Sequence, residues 1–111
     1  MSDKSIQWIG TSKDDLKTFP EDAKRKAGLE LRLIQQGKQP IDFKPIPIVG
    51  KGTEEIRIST GDIYRVFYVA RFPEAVYILH AFGKKTQKTS KKDIELGQKR
   101  YQQMIKLRQE L

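Results

Sequence analysis

Two apolar stretches, close together in the chain, constrain the fold most strongly. Val76–Gly83 is apolar almost throughout, is rich in β-branched and aromatic residues, and follows the turn signal Phe72-Pro73-Glu74. Ile63–Ala70 has a similar composition and follows the turn Thr60-Gly61-Asp62. The first stretch predicts a buried strand, and the second predicts a central strand that is covered on both faces for most of its length.

The remaining pattern predicts an α+β fold, in the order β-α-α-β-β-β-β-α. We expect a small, mostly antiparallel sheet with two N-terminal helices and a C-terminal helix, the helices covering one side of the sheet. The extended stretch near residue 46 contains two prolines and is expected to be an edge strand or an extended loop. This stretch is Lys44–Val49, and the remaining predicted strands are Ser5–Ile9 and Glu55–Ser59. Of the three predicted helices, the first is short and ends near Lys17, the second spans about Pro20–Gln36, and the third spans about Lys91–Gln109.

Composition limits the classes of protein to which the chain can belong. With 111 residues, 37% of them hydrophobic, residues 1–111 are expected to form one domain around a small core. The sequence has no cysteine and one histidine, and its acids are scattered, so we expect no disulfide, metal site or cofactor. Gly50-Lys51-Gly52 is too short for a phosphate-binding loop, which argues against a nucleoside triphosphatase. No apolar run approaches the length of a membrane span, which predicts a cytoplasmic protein with no membrane partner.

Positive charge is concentrated near the C-terminal end. The net charge is +8, and the nine Lys or Arg residues and three acids between Lys84 and Leu111 give that part a net charge of +6. Residues 84–92, which we call the lysine segment, contain five lysines and no acid. Such a cluster at the end of a rigid strand favours binding of a phosphate backbone or an acidic protein, although a solvated loop is the alternative. The lysines are Lys84, Lys85, Lys88, Lys91 and Lys92.

Two arginines are candidates to act with these lysines. If the three strands after residue 54 pair in sequence order, Arg57 and Arg65 lie on neighbouring elements beside the lysine segment, around a shallow concavity. A guanidinium inside a central strand is costly unless it is paired or faces a groove. The alternative for Arg65 is an ion pair with an acid; the candidate acids are Asp62, Glu54 and Glu55.

His80, Tyr64 and Tyr68 each have two interpretations. A single strand histidine is more often a hydrogen-bonded core residue, but imidazole titrates near neutrality and His80 could be a general acid or base. Tyr64 and Tyr68 share one face and could stack on bases, although core packing is expected for at least one of them.

Over residues 16–108 the chain resembles the phage-derived branch of the RelE/HigB toxin superfamily of bacterial toxin–antitoxin systems. The most specific match is Leu79-His80-Ala81-Phe82-Gly83-Lys84-Lys85-Thr86-Gln87-Lys88-Thr89 before a terminal helix. Weaker matches are Gly37 with Pro40, Gly50-Lys51-Gly52 leading into Glu55-Ile56-Arg57, and Tyr64-Arg65-Val66.

This resemblance implies a RelE-like fold and endonucleolytic mRNA cleavage in the ribosomal decoding site. It places Arg65 at the arginine of the Tyr-Arg strand and Lys85 where an arginine binds the scissile phosphate. Arg57 falls near the strand lysines of the family. We therefore expect Arg65, Lys85, Arg57 and His80 to be catalytic, and the RNA-binding residues to be Lys84, Lys88, Lys91, Lys92 and Tyr64.

The sequence thus predicts a toxin of a type II toxin–antitoxin system, a metal-independent mRNA endonuclease. Its expected partners are mRNA, the ribosome and a cognate helix-turn-helix antitoxin. Two alternatives remain open: a non-catalytic, prophage-derived module that binds RNA or protein, and a gyrase inhibitor of the ParE type.

Overall fold

The computed structural model describes residues 3–84 and 88–111 and has the predicted order of elements. It is an α+β fold with a mostly antiparallel sheet, two N-terminal helices and a C-terminal helix, which confirms the predicted fold class. The elements are β1 (Ser5–Trp8), α1 (Ser12–Lys17), α2 (Glu21–Gln35), β2 (Phe43–Pro45), β3 (Thr53–Thr60), β4 (Asp62–Val69), β5 (Ala75–Lys84) and α3 (Lys91–Gln109).

The five strands form one sheet in the order β1-β5-β4-β3-β2. Strands β2 to β5 are antiparallel to their neighbours, as predicted for β3, β4 and β5, whereas β1 runs parallel to β5. Strand β2 lies at an edge, where Pro45 removes no hydrogen bond from an inner ladder. Strands β4 and β5 lie at the centre, which explains why their sequences are the most apolar.

Helices cover both faces of the sheet, so the predicted one-sided coverage is wrong. Val66 and Tyr68 of β4 belong to a cluster with α1 and α2, whereas Phe67 and Val69 belong to a second cluster with α3. Because successive side chains of a strand point to opposite faces, these clusters lie on opposite sides of the sheet. We call them the α2 face and the α3 face. The continuous apolar run in β4 reflects this two-sided burial.

A β-bulge interrupts the side-chain alternation of β5. Phe67 pairs with His80 and Tyr68 with Ile78, which leaves Leu79 as one extra residue on β5. Leu79 packs in the α3-face cluster and Ala81 in the α2-face cluster, although strict alternation would put both on one side. The bulge therefore places the second half of β5 in the opposite phase from the one that counting residues predicts.

Helix α3 packs closely on the sheet near its midpoint. A Cβ atom added at Gly97 would lie 2.9 Å from Cδ2 of Phe67 and 3.1 Å from Cγ1 of Val49. Glycine thus allows the helix to approach the sheet at the expense of helix propensity.

Ser90 caps the helix, since its Oγ accepts a hydrogen bond of 3.2 Å from the Asp93 main-chain N–H. In the described residues, no helix is long and apolar enough to cross a membrane.

Candidate nucleic-acid interface

Arg57 and Arg65 lie in one row across the sheet, on the α3 face. Arg57 of β3 is opposite Arg65 of β4, and Arg65 is opposite Phe82 of β5. Directly opposed residues share a face, and Phe82 packs in the cluster of the α3 face. We call Arg57 and Arg65 the arginine row. It lies beside the N-terminal end of α3, where the lysine segment ends.

Arg65 is fully buried and pairs with Glu55. Both side chains have 0% exposure, and the Nη1 atom of Arg65 donates a hydrogen bond to Oε1 of Glu55. The expectation that Arg65 faces an exposed groove is therefore wrong, and the alternative of an ion pair is confirmed. Glu55 is two residues before Arg57 on the same side of β3, so it lies diagonally across from Arg65, close enough to neutralise the buried charge.

Glu55 also binds the end of the lysine segment. Its second carboxylate oxygen, Oε2, accepts a hydrogen bond of 3.2 Å from the hydroxyl of Thr89. One buried carboxylate thus contacts a guanidinium of β4 and a hydroxyl that lies two residues before α3. The inner strands of the sheet are connected to the lysine segment at this point.

Arg57 is the exposed member of the arginine row. Its side chain is 36% exposed, and its Nε lies 3.9 Å from Oδ2 of Asp42, beyond hydrogen-bond distance. The main-chain N–H of Arg57 donates to the Asp42 carbonyl at 2.9 Å, which fixes the backbone at this edge of the sheet. Within the described part of the chain, Nε of Arg57 is itself buried and has no hydrogen-bond partner. The exposed fraction of the side chain is the part that can approach an anion from solvent.

His80 is a hydrogen-bonded core residue in this structure. Its Nε2 lies 2.8 Å from Oδ1 of Asp93, and its ring stacks on Phe82 with the centroids 4.4 Å apart. The side chain is 7% exposed. Burial lowers the pKa of His80 below its ordinary value, against the opposing effect of Asp93, so the imidazole is neutral at neutral pH. The Nδ1 atom is buried and has no hydrogen-bond partner among the described residues.

The described lysines of the segment are exposed. Lys88 precedes Thr89, and Lys91 and Lys92 begin α3. The ammonium of Lys91 lies 3.8 Å from the carboxylate of Glu95, one turn further along the helix. Lys84 is the last residue of β5 and its backbone pairs with Ile63, but its side chain lies outside the described part. Lys85 lies outside the described residues altogether.

The two tyrosines of β4 lie on the α2 face, away from the arginine row. Tyr68 is buried and its hydroxyl donates a 2.8 Å hydrogen bond to Glu54, so the predicted core role is confirmed for this residue. Burial raises the pKa of the Tyr68 hydroxyl above its ordinary value. Tyr64 is partly buried and packs against Phe19, with ring centroids 4.7 Å apart. The structure does not bring Tyr64 together with Arg57.

Sequence reasoning missed the role of Arg100. This buried residue donates hydrogen bonds to the main-chain oxygens of Leu79, at 3.2 Å, and Ile9, at 3.1 Å, and to the hydroxyl of Thr11, at 3.0 Å. It thereby satisfies the carbonyl of the bulged residue and connects α3 to the segment between β1 and α1. Its position three residues after Gly97, on the packing stripe of α3, was the available signal.

Metal ligands are not grouped at this site. In residues 3–84 and 88–111, no three His, Asp or Glu side chains are placed so that they could hold one metal ion. Positive charge comes instead from the half-exposed Arg57 and the exposed lysines. This arrangement suits an anionic polymer that crosses the α3 face beside the start of α3.

Comparison with known proteins shows the family. A search of curated proteins found no match. The family model for phage-derived Gp49-like proteins (DUF891) matches residues 14–102, about four fifths of the chain. The matched range includes both arginines of the row, His80, the whole lysine segment and most of α3. The chain therefore belongs to the phage-derived Gp49-like protein family.

Proposed function

We propose that this protein is the toxin of a type II toxin–antitoxin system and cleaves mRNA on the ribosome without a metal ion. The observation that carries the proposal is the contact of Glu55 with Thr89, which joins the strand that holds Arg57 to the end of the lysine segment. Arg57 lies two residues from Glu55 on one side of β3, and Glu55 binds Thr89, next to Lys88. The resemblance of Leu79–Thr89 to RelE/HigB toxins and the phage-derived family both support it.

In this proposal the protein positions the RNA and stabilises negative charge. The ribose 2′-hydroxyl attacks the adjacent phosphorus, the P–O5′ bond breaks, and the products are a 2′,3′-cyclic phosphate and a 5′-hydroxyl. Arg57 and Lys85 bind the phosphate oxygens on which charge develops. Lys84, Lys88, Lys91 and Lys92 bind the flanking phosphates, which sets the path of the strand.

Burial changes the roles that we propose for Arg65 and His80. Arg65 has no exposed surface and acts on the site through Glu55. His80 keeps Nδ1 inside the protein and uses Nε2 to bind Asp93, so it holds the start of α3 and does not reach the RNA. We assign the proton acceptor for the 2′-hydroxyl to a lysine of the segment other than Lys85, because Lys85 binds the phosphate in its protonated form.

Induced expression in a bacterial host tests this function. We expect growth arrest and, by primer extension on cellular mRNAs, new 5′ ends within codons. Arg57→Ala and Lys85→Ala should each lower cleavage about 10²- to 10³-fold, because each removes a charge that stabilises the transition state. Lys85→Arg should keep or raise activity, since a guanidinium can bind phosphate through two hydrogen bonds. Lys106→Ala, at the other end of α3, is the matched control.

Other outcomes assign other functions. A DNA-damage response with intact mRNAs would indicate inhibition of gyrase. Neither cleavage nor DNA damage would indicate a module that binds RNA or protein without catalysis. We further propose that a helix-turn-helix antitoxin neutralises the protein, and co-expression with the neighbouring open reading frame should restore growth.

A further inference from the structure

We propose that Glu55 is a positioning residue that fixes the C-terminal end of the lysine segment before RNA arrives, and that Arg65 acts through it. The fixing of the segment follows from the contacts of Glu55. Its consequence for RNA affinity rests on the function proposed above. Glu55 itself touches neither solvent nor RNA, since its side chain has 0% exposure.

A buried ion pair contributes little to stability, but it can hold a hydrogen-bonding group in one fixed position. Removing two charges from water costs about as much as their attraction returns, so apolar residues of similar size would fill this space equally well. A carboxylate held by Arg65, however, presents its second oxygen at one fixed place. That oxygen accepts the hydrogen bond from Thr89, which apolar residues could not provide. The ion pair therefore provides a fixed acceptor for the lysine segment.

A second set of contacts holds the other side of the same short stretch. Asp93 accepts a 2.7 Å hydrogen bond from the Ser90 hydroxyl through Oδ2 and contacts His80 of β5 through Oδ1. The stretch from Thr89 to Asp93 is thus bound to β3 at one end and to β5 at the other. Lys91 and Lys92 lie between these two contacts, with both side chains exposed.

Lysines on a fixed backbone bind a phosphate chain with a smaller loss of conformational entropy. Ordering a flexible segment during binding reduces affinity, and ordering it beforehand removes that cost. We therefore expect loss of the Thr89 contact to weaken RNA binding about 3- to 10-fold. This factor corresponds to the free-energy cost of ordering one or two side chains or residues during binding.

The experiment uses Thr89, because substitution of Glu55 would leave the charge of Arg65 buried and could unfold the protein. Thr89→Val removes the hydroxyl and keeps the shape, whereas Thr89→Ser keeps the hydroxyl. The first measurement is hydrogen exchange of the amides of Asp93 and Ile94, which donate the first hydrogen bonds of α3. The second is affinity for a short single-stranded RNA whose 2′-hydroxyls are methylated, so that it cannot be cleaved.

We expect Thr89→Val to exchange faster at Asp93 and Ile94 and to bind RNA about 3- to 10-fold more weakly. We expect Thr89→Ser to match the wild type in both measurements. Unchanged exchange in Thr89→Val overturns the proposal, as does faster exchange with unchanged affinity. A Thr89→Ser variant that behaves like Thr89→Val also overturns it. If the wild type binds no RNA while exchange responds as expected, the fixing of the segment is supported and the proposed RNA-cleaving function fails.

Discussion

At the scale of single residues, the two arginines of the row have opposite environments although they face each other across two strands. Arg65 is neutralised by Glu55 inside the protein, whereas Arg57 is partly exposed and contacts Asp42 only at 3.9 Å. Removing one partner of a buried ion pair leaves an unpaired buried charge and lowers stability, whereas an exposed charge is available to a ligand.

Arg65→Ala should lower the free energy of unfolding by about 3–5 kcal/mol, because Glu55 is left as a buried, unpaired carboxylate. Arg57→Ala should change it by less than about 1 kcal/mol, since its ion pair is exposed and long. Urea unfolding of the two variants measures both effects. Replacing the pair together, by Arg65→Met with Glu55→Leu, should recover most of the loss. Equal stability of the two alanine variants would contradict the assignment.

His80 should make the protein sensitive to mild acid. Its pKa in the folded protein lies below the ordinary value of 6.5, so between these two values the unfolded chain binds the proton more readily. The contribution of neutral His80 to the free energy of unfolding is therefore fully present above about pH 6.5. It is lost as pH falls through the pKa of His80 in the folded protein. Urea unfolding across this pH range should show the decline, and His80→Gln should remove it. If the free energy of unfolding of His80→Gln declines with falling pH as steeply as that of the wild type, other groups cause the decline.

At the scale of elements, the sequence predicted the order and bounds of most strands and helices, because apolar runs, prolines and glycines carry that information locally. It could not choose the partner of Arg65 among three acids, since a shift of one residue in register changes which side chains face each other. The bulge at Leu79 left no signal, because Leu79 is apolar and both faces of β5 are buried. The phase of His80 and the burial of Arg65 therefore had to come from the structure.

Two helical glycines should respond in opposite ways to the same substitution. Gly97→Ala gains helix propensity but forces a Cβ to within 2.9 Å of Phe67, and such overpacking costs about 1–3 kcal/mol. We expect a net loss of stability. Gly28 of α2 has no atom within 4 Å of an added Cβ, so Gly28→Ala should raise stability by up to about 1 kcal/mol. Thermal unfolding compares the two, and a stabilised Gly97→Ala would show that α3 can move outward.

At the scale of the whole molecule, the uneven charge predicts how RNA binding depends on salt. Affinity for single strands should fall with ionic strength with a log–log slope of about −0.7 per phosphate contact. Replacing Lys84, Lys85 and Lys88 by Ala should flatten the slope by about two. The control replaces Lys13, Lys17 and Lys106, which removes the same net charge from elsewhere. An equal change in both triple variants would assign the effect to net charge alone.

The parallel pairing of β1 with β5 also has a consequence for biosynthesis. Ser5 pairs with Ala75, so the first strand to leave the ribosome has no partner until translation has passed the last strand. Arg65 pairs with Phe82 of β5, and the Thr89 and Asp93 contacts need the residues that follow. The arrangement of the arginine row and the start of α3 is therefore complete only after nearly all of these residues have been translated. During most of elongation the nascent chain therefore carries these basic residues without the arrangement that the folded protein gives them.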